Sequence, residues 1–133
     1  MPDFLAAALQ LTSTSQPEIN FAAAEEQIEL AARRGAELVG LPENFAFIGD
    51  DKTRLELSSD LAEQCSKFLV TMARRYQIVL LGGGFPVPSG DGNLTLNRSE
   101  LVGKDGQLLG RYDKIHLFDV DLPDGNKYRE SAT

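Results

Sequence analysis

The sequence predicts an α/β fold built on a mixed β-sheet, and three observations lead to this class. The composition, 42% hydrophobic and 25% charged over 133 residues, is that of one ordinary globular domain. Up to about residue 85, short apolar runs alternate with helical patterns, as in folds with parallel strands. After that the pattern changes to strand followed by strand, which indicates a hairpin and places antiparallel strands beside the parallel ones. We therefore expect a mixed sheet with helices on at least one face.

The first predicted strand is the nearly continuous apolar run 4–11, which suits a strand buried on both faces. A helix should begin at Pro17, since proline is favoured in a first helical turn, and end before Gly35. Apolar residues recur at steps of three and four along its inner face: Phe21, Ala24, Ile28 and Ala31.

The second predicted strand is the apolar run 36–41, and an acid-rich loop is expected over 43–57. Asp60 and Glu63 have the spacing of a capping box, with Asp in place of the usual Ser or Thr. The second helix is therefore predicted to begin near Asp60 and to end near Arg75.

A third strand is predicted over 78–81, and we interpret the triple glycine at 82–84 as a tight turn at its end. The extended stretch 94–102 and the stretch 108–112 flank a strong turn signal at 104–107, which predicts a β-hairpin. Beyond Lys114 the sequence predicts a long loop.

The charge balance bears on the kind of partner. A net charge of −7 and a pI of about 4.6 repel phosphate backbones and anionic lipid, so we expect no nucleic-acid partner and no membrane partner. The chain shows neither an apolar run long enough to cross a bilayer nor the pattern of a signal peptide. We therefore expect a cytoplasmic protein.

Cysteine and histidine are scarce. The single cysteine, Cys65, cannot form an internal disulfide and is predicted to lie in the core on the apolar face of the second helix. Together with His116, the only histidine, it makes no zinc site, and we expect His116 to pack or hydrogen-bond beside Lys114. Asn93 and Asn97 begin glycosylation sequons, which we attribute to chance.

Two residues stand out as candidates for chemistry. Glu43 follows a buried strand, at the carboxyl end of the sheet where open α/β folds bind ligands. Lys114 ends another strand among aromatic and aliphatic residues, where a partly desolvated ammonium could stabilise an oxyanion. From the pattern alone, a solvated loop acid and a surface lysine remain open as alternatives.

Three motifs carry a resemblance to a known family. The segments Leu-Pro-Glu-Asn-Phe at 41–45, Arg-Tyr-Asp-Lys-Ile-His-Leu-Phe-Asp-Val at 111–120 and Tyr-Arg-Glu-Ser at 128–131 together resemble the carbon-nitrogen hydrolase (nitrilase) superfamily. Phe-Ala-Phe-Ile-Gly at 45–49 and the loop 119–130 look most like the branch of the deaminated-glutathione amidases, with the omega-amidases next. The resemblance extends over essentially the whole chain.

That resemblance implies a nitrilase-like αββα sandwich, of which residues 1–133 would form the incomplete N-terminal part. It implies hydrolysis of a small-molecule amide, of the deaminated-glutathione or dicarboxylate-monoamide type, by a Cys-Glu-Lys mechanism without cofactor or metal. Glu43 would be the general base, Lys114 would stabilise the oxyanion, and Glu130 would be a second carboxylate that orients the lysine. In this family the nucleophilic cysteine follows a further strand beyond the lysine, and this sequence ends before that point.

Several expectations follow for the chain as it stands. It is predicted to form a homo-oligomer or to pair with a complementing C-terminal half, because its sheet would otherwise expose an edge and an apolar face. The alternative is a non-catalytic binding or regulatory half-module, or one subunit of a split enzyme. A nucleotide-binding module, suggested only by the glycines at 82–84, is a third class.

Overall fold

A computed structural model describes residues 3–132, which form a five-stranded sheet, two long helices and a separate two-stranded ribbon. In chain order the elements are β1 (Ala6–Ala8), α1 (Pro17–Arg33), β2 (Leu38–Gly40), α2 (Asp51–Tyr76), β3 (Val79–Pro88), β4 (Thr95–Val102), β5 (Leu108–Asp113), β6 (Asp119–Asp121), β7 (Lys127–Arg129) and the 3₁₀ turn Glu130–Ala132. No helix in the part of the chain described here is long and apolar enough to cross a membrane.

The predicted mixed sheet is confirmed. The strands lie side by side in the order β1-β2-β3-β4-β5. β1, β2 and β3 are parallel and are joined through α1 and α2, because parallel neighbours need a crossover connection. β3, β4 and β5 are antiparallel, and the turn between β4 and β5 is the hairpin that the sequence predicted.

The core lies between the two helices and one face of the sheet. Ile28 of α1 and Leu69 of α2 are fully buried against Val39, Leu80 and Val102 of three neighbouring strands. Burying a side chain of this size stabilises the fold by about 1.5–3 kcal/mol.

The opposite face of the sheet is apolar and open. Leu38, Val79, Leu81 and Leu101 line a shallow depression there, and Leu81 is 40% exposed. These residues alternate with the core residues along the strands, so they point away from both helices. β1 lies at the edge of the sheet with Ala6 and Ala8 exposed, which corrects the expectation that this strand is buried on both faces.

Helix α2 begins nine residues earlier than predicted, so the capping box at Asp60 and the loop reaching residue 57 are wrong. The N-cap is Asp50, whose Oδ1 accepts a hydrogen bond of 2.9 Å from the backbone N–H of Thr53. The inner face of this first part of the helix carries Ser58, whose hydroxyl donates to the carbonyl of Leu55 at 2.8 Å. A serine at a buried position interrupts the apolar stripe on which the prediction relied.

The triple glycine lies within β3 and forms no strand-end turn, which corrects another prediction. β3 continues to Pro88, and beyond Leu81 it pairs with β4 on one side only. Its prolines are tolerated there because no second strand needs the backbone N–H that proline lacks. A Cβ at Gly83 would overlap the backbone of Pro42, and one at Gly84 would overlap Asn97 Oδ1. The glycines therefore allow close approaches inside the sheet and do not form a loop at the start of a helix, as a phosphate-binding loop does.

The segment after Lys114 also differs from the predicted loop, because β6 and β7 pair in a short antiparallel ribbon. Its turn contains Gly125 with φ of 90°, a conformation that suits glycine. Strands of three residues are too short for an alternating pattern to reveal them. The last residue of the motif-bearing C-terminal segment, Thr133, lies outside the described residues.

Candidate active site

Glu43 leaves the sheet directly after β2, in a turn held close to β3. The next residue, Asn44, has φ of 57°, a left-handed conformation that asparagine tolerates better than most residues. The N–H of Asn44 donates to the carbonyl of Gly84 at 2.6 Å. Since Gly83 lets the backbone of Pro42 lie against the middle of β3, this turn brings the Glu43 side chain within hydrogen-bonding distance of Asn97 on β4.

Lys114 lies between two carboxylates. Its Nζ donates to Glu43 Oε1 and to Glu130 Oε2, each at 3.0 Å. The lysine follows β5, where its backbone N–H donates to the carbonyl of Asn97 at 2.8 Å. The structure thus brings together all three residues that the sequence analysis had selected, although Glu43 and Lys114 are 71 positions apart in the chain.

Asn97, whose glycosylation sequon we attribute to chance, completes this cluster. Its Nδ2 donates to Glu43 Oε1 at 2.6 Å and to Glu130 Oε1 at 3.0 Å. The amide therefore links two carboxylates that would otherwise repel each other. The sequence offered no distinguishing signal for Asn97, because most residues of β4 are polar. A partner for it can be named only once the strand register is known.

The environment of Glu130 favours its ionised form. Burial alone would raise the pKa of this carboxyl, but hydrogen bonds from Asn97, from the N–H of Phe118 at 2.6 Å and from Lys114 outweigh it and hold the pKa below its usual value. The side chain is only 15% exposed. Glu130 is therefore a largely shielded anion that accepts hydrogen bonds from three residues.

Lys114 keeps its charge in the same way. Desolvation would lower the pKa of its ammonium, yet the hydrogen bonds to Glu130 and Glu43 and the charges of both acids outweigh it and raise the pKa. Its side chain is 28% exposed, against 50% for Glu43. The cluster thus presents a permanently positive group beside a more accessible carboxylate.

The cluster forms one wall of a cleft of about 570 Å³, a volume within the usual range for small-molecule sites. Its other walls come from the start of α2 and from the ribbon of β6 and β7. The lining residues outside the cluster are Asn44, Gly49, Asp50, Asp51, Arg54, Phe118, Lys127, Tyr128 and Arg129.

Two other residues had been given roles by the sequence. Cys65 is fully buried in the core, as predicted, and burial together with the charge of Glu100 raises the pKa of its thiol. His116 is exposed, and its side chain forms no hydrogen bond or ion pair within residues 3–132, so the hydrogen-bonding role expected for it is wrong, while packing beside Lys114 stays a prediction.

Comparison with known proteins gives the class to which this fold and site belong. Residues 5–133 match the sequence profile described as Carbon-nitrogen hydrolase. The chain is a member of the carbon-nitrogen hydrolase family.

Among curated proteins, the chain is similar to two amidases from different organisms. The chain is 53% identical over 134 aligned residues to a deaminated glutathione amidase of Synechocystis sp., covering 100% of this chain and 49% of that relative. It is 35% identical to an omega-amidase of Homo sapiens, covering 100% of this chain and 48% of that protein. The chain therefore spans about half the length of the curated relatives it matches.

Solved structures agree on the fold. The NitFhit protein of C. elegans superimposes with a TM-score of 0.85 at 32% identity, over 96% of this chain and 31% of that one. The amidase from Nesterenkonia sp. AN1, whose active-site cysteine has been captured with acrylamide added to it, gives a TM-score of 0.72 at 26% identity, over 85% of this chain and 44% of that one.

Proposed function

We propose that residues 1–133 form the N-terminal part of a carbon-nitrogen hydrolase domain and supply the acid and lysine groups of an amidase site. The observation that carries the proposal is the position of Lys114 Nζ, 3.0 Å from an oxygen of Glu43 and from one of Glu130. The proposed substrate is a linear amide of the deaminated-glutathione or dicarboxylate-monoamide type. The names of the Synechocystis and human relatives support this choice.

The nucleophile is proposed to be a cysteine outside this chain. Cys65 is unsuitable, because it is fully buried in the core, its raised pKa disfavours the thiolate, and it does not line the cleft. The active-site cysteine of the Nesterenkonia amidase supports a thiol mechanism. The partner is then a complementing C-terminal half that contributes this residue.

The chemistry assigns one task to each group. Glu43 takes the proton of the incoming thiol, and the thiolate attacks the amide carbon. The ammonium of Lys114 stabilises the oxyanion of the tetrahedral intermediate. When the intermediate collapses, the leaving nitrogen takes the proton from Glu43 and departs as ammonia. Glu43 then accepts a proton from water as that water attacks the thioester; the second tetrahedral intermediate collapses to the carboxylic acid and the thiolate, which takes the proton back from Glu43 and leaves as the thiol.

Glu130 is a positioning residue in this scheme. It is more buried than Glu43 and is held by Asn97, Lys114 and the N–H of Phe118, so it keeps Lys114 in place without needing to exchange a proton. The more exposed Glu43 is the acid that a proton donor in the cleft can reach.

The test is reconstitution with the C-terminal half of the Synechocystis relative, followed by measurement of ammonia release from an α-keto monoamide. Glu43→Gln and Lys114→Ala should each lower the rate by at least about 100-fold. Glu63→Gln, which removes an exposed acid on α2, is the matched control and should not change it.

Three results would count against the proposal. Activity that survives both Glu43→Gln and Lys114→Ala would remove these residues from the chemistry. Activity of this chain alone that persists in Cys65→Ser would refute the thiol mechanism. Amide binding without ammonia release in the reconstituted protein would favour the non-catalytic binding module.

A further inference from the structure

Arg54 lines the same cleft as the acid–lysine cluster and is contributed by helix α2. It lies in the second turn of α2, where its backbone N–H donates to the carbonyl of Asp50 at 3.0 Å. Helix α2 packs along β3, so the base of this side chain is fixed by a rigid element. The arginine also borders a small void that it shares with Asn97 and Glu130.

The guanidinium of Arg54 is unusual because its Nε is buried and has no hydrogen-bond partner. Within residues 3–132 its side chain also forms no ion pair. The nearby carboxylate of Asp50 is already occupied, because both of its oxygens accept hydrogen bonds from Thr53. The buried Nε is itself shielded from the cleft, so an incoming group meets the rest of the guanidinium, which lines the cleft and has no hydrogen-bond or ion-pair partner among residues 3–132. A buried N–H group without an acceptor is unfavourable, and a ligand that draws the guanidinium into hydrogen bonds would relieve that cost.

The other cations of the cleft are placed differently. Lys114 is held by Glu43 and Glu130, and Arg129 pairs with Asp121. Lys127 is exposed at the ribbon. Arg54 is therefore the one cation in the described lining that combines a partly buried guanidinium with an unused donor.

A carboxylate is the ligand group that suits this position. The planar fork of arginine matches the two oxygens of a carboxylate and forms charge-assisted hydrogen bonds with it. Phosphate also accepts such bonds, and the four acids of the lining are matched by four cations, so competition by inorganic phosphate is one arm of the test.

We propose that Arg54 binds a carboxylate of the substrate and that the scissile amide of the same molecule then lies against Lys114. This inference rests on the proposed amidase function and deepens it, because it makes Arg54 the residue that selects amides carrying a free carboxylate. Neutral amides of the same length lack that contact and are discriminated against.

Binding to the 133-residue chain tests the inference without any need for turnover. The probe is glutaramate, the monoamide of glutaric acid, and its neutral comparator is glutaramide, the corresponding diamide. We expect calorimetry to show glutaramate binding to the unaltered chain, with Kd raised about tenfold or more in Arg54→Gln. The affinity for glutaramide should stay within about twofold of the unaltered chain's in the same variant.

Matched variants locate the effect. Lys52→Gln removes an exposed cation two residues away on the same helix, and glutaramate binding should not change. Arg54→Lys keeps the charge but loses the fork, and its Kd should fall between those of Arg54→Gln and the unaltered chain. This variant also serves if Arg54→Gln fails to fold by circular dichroism. The Nε–H resonance of Arg54 should shift on addition of glutaramate and not of glutaramide.

The assignment is overturned if the unaltered chain does not bind glutaramate, or if Arg54→Gln and Arg54→Lys both bind it as tightly as the unaltered chain. It is equally overturned if Lys127→Gln produces the loss instead, or if inorganic phosphate binds more tightly than glutaramate. None of these results affects the amidase proposal, which is tested by ammonia release and its dependence on Glu43 and Lys114.

Discussion

Gly84 leaves the space in which Asn97 sits. A Cβ at Gly84 would overlap Asn97 Oδ1, while the Nδ2 of the same amide donates to Glu43 and Glu130. Gly84 is buried in β3, at an irregularity in its pairing with β4. A residue without a side chain therefore sets the position of the amide that links the two acids.

Gly84→Ala should displace the Asn97 side chain and loosen the cluster. We expect the free energy of unfolding to fall by about 1–3 kcal/mol, as for other overpacked sites. The pKa of Glu130 should move upward, because it loses a hydrogen bond that favours its charged form. Urea unfolding and an NMR titration of the Glu130 carboxyl measure both effects. Gly90→Ala is the control, since a Cβ there has nothing within 4 Å. Unchanged stability and an unchanged Glu130 titration in Gly84→Ala would contradict this account.

Stability should depend on pH through Glu130. Its pKa is lower in the folded chain than its ordinary value of 4.5, so its contribution is present above that pH and is lost as pH falls through the folded pKa. Glu130→Gln should therefore be less stable than the unaltered chain at pH 7, and the two should converge well below pH 4.5. Urea unfolding across this range measures the difference. If the difference in unfolding free energy between the two proteins instead widens in acid, the hydrogen bonds to the ionised Glu130 are not what stabilises the fold.

Cys65 should be chemically inert while the chain is folded. Its thiol is fully buried and its pKa is raised by burial and by Glu100, so little thiolate is available. Labelling by a disulfide reagent should be slow in buffer and fast in denaturant. Cys65→Ala should lower the free energy of unfolding by about 0.5–3 kcal/mol, the usual range for single substitutions. Fast labelling of the folded chain would show that the core opens readily at α2.

The open face of the sheet should make the isolated chain associate. Leu81 is 40% exposed in a depression shared with Leu38, Val79 and Leu101. Leu81→Lys should weaken self-association about tenfold or more, since burying one leucine contributes about 1.5–3 kcal/mol. Light scattering over a range of concentrations measures this. Ile19→Lys, on the exposed side of α1, is the control. A monodisperse monomer of the unaltered chain would be evidence against association.

The parts of the fold that were predictable have strong local patterns. The inner face of α1 and the 104–107 turn rest on spacing within a few residues, and both were confirmed. The start of α2 was missed because Ser58 stands where the apolar stripe needs a hydrophobic residue. The glycines at 82–84 were misjudged because their neighbours, the Pro42 backbone and Asn97, come from distant segments.

The residues of the site also fall into those that the sequence could predict and those that it could not. Glu43, Lys114 and Glu130 belong to short motifs that resemble a known family, so the sequence could select them. Asn97 and Arg54 belong to no such motif. The role of Asn97 depends on the register between β3 and β4, and that of Arg54 depends on a buried donor without a partner. Neither feature can be recognised before the chain is folded.

The cluster of Glu43, Asn97, Lys114 and Glu130 joins chain segments that are far apart, with separations of 54 and 71 residues from Glu43 to Asn97 and Lys114. Closing loops of this length is entropically unfavourable, and the cost is met only when the strands between them have paired. Fraying of β5 alone would release Lys114 from both acids at once. Without Lys114 the pKa of Glu130 would rise, so the titration of this one carboxyl reports whether β5 stays paired at the edge of the sheet.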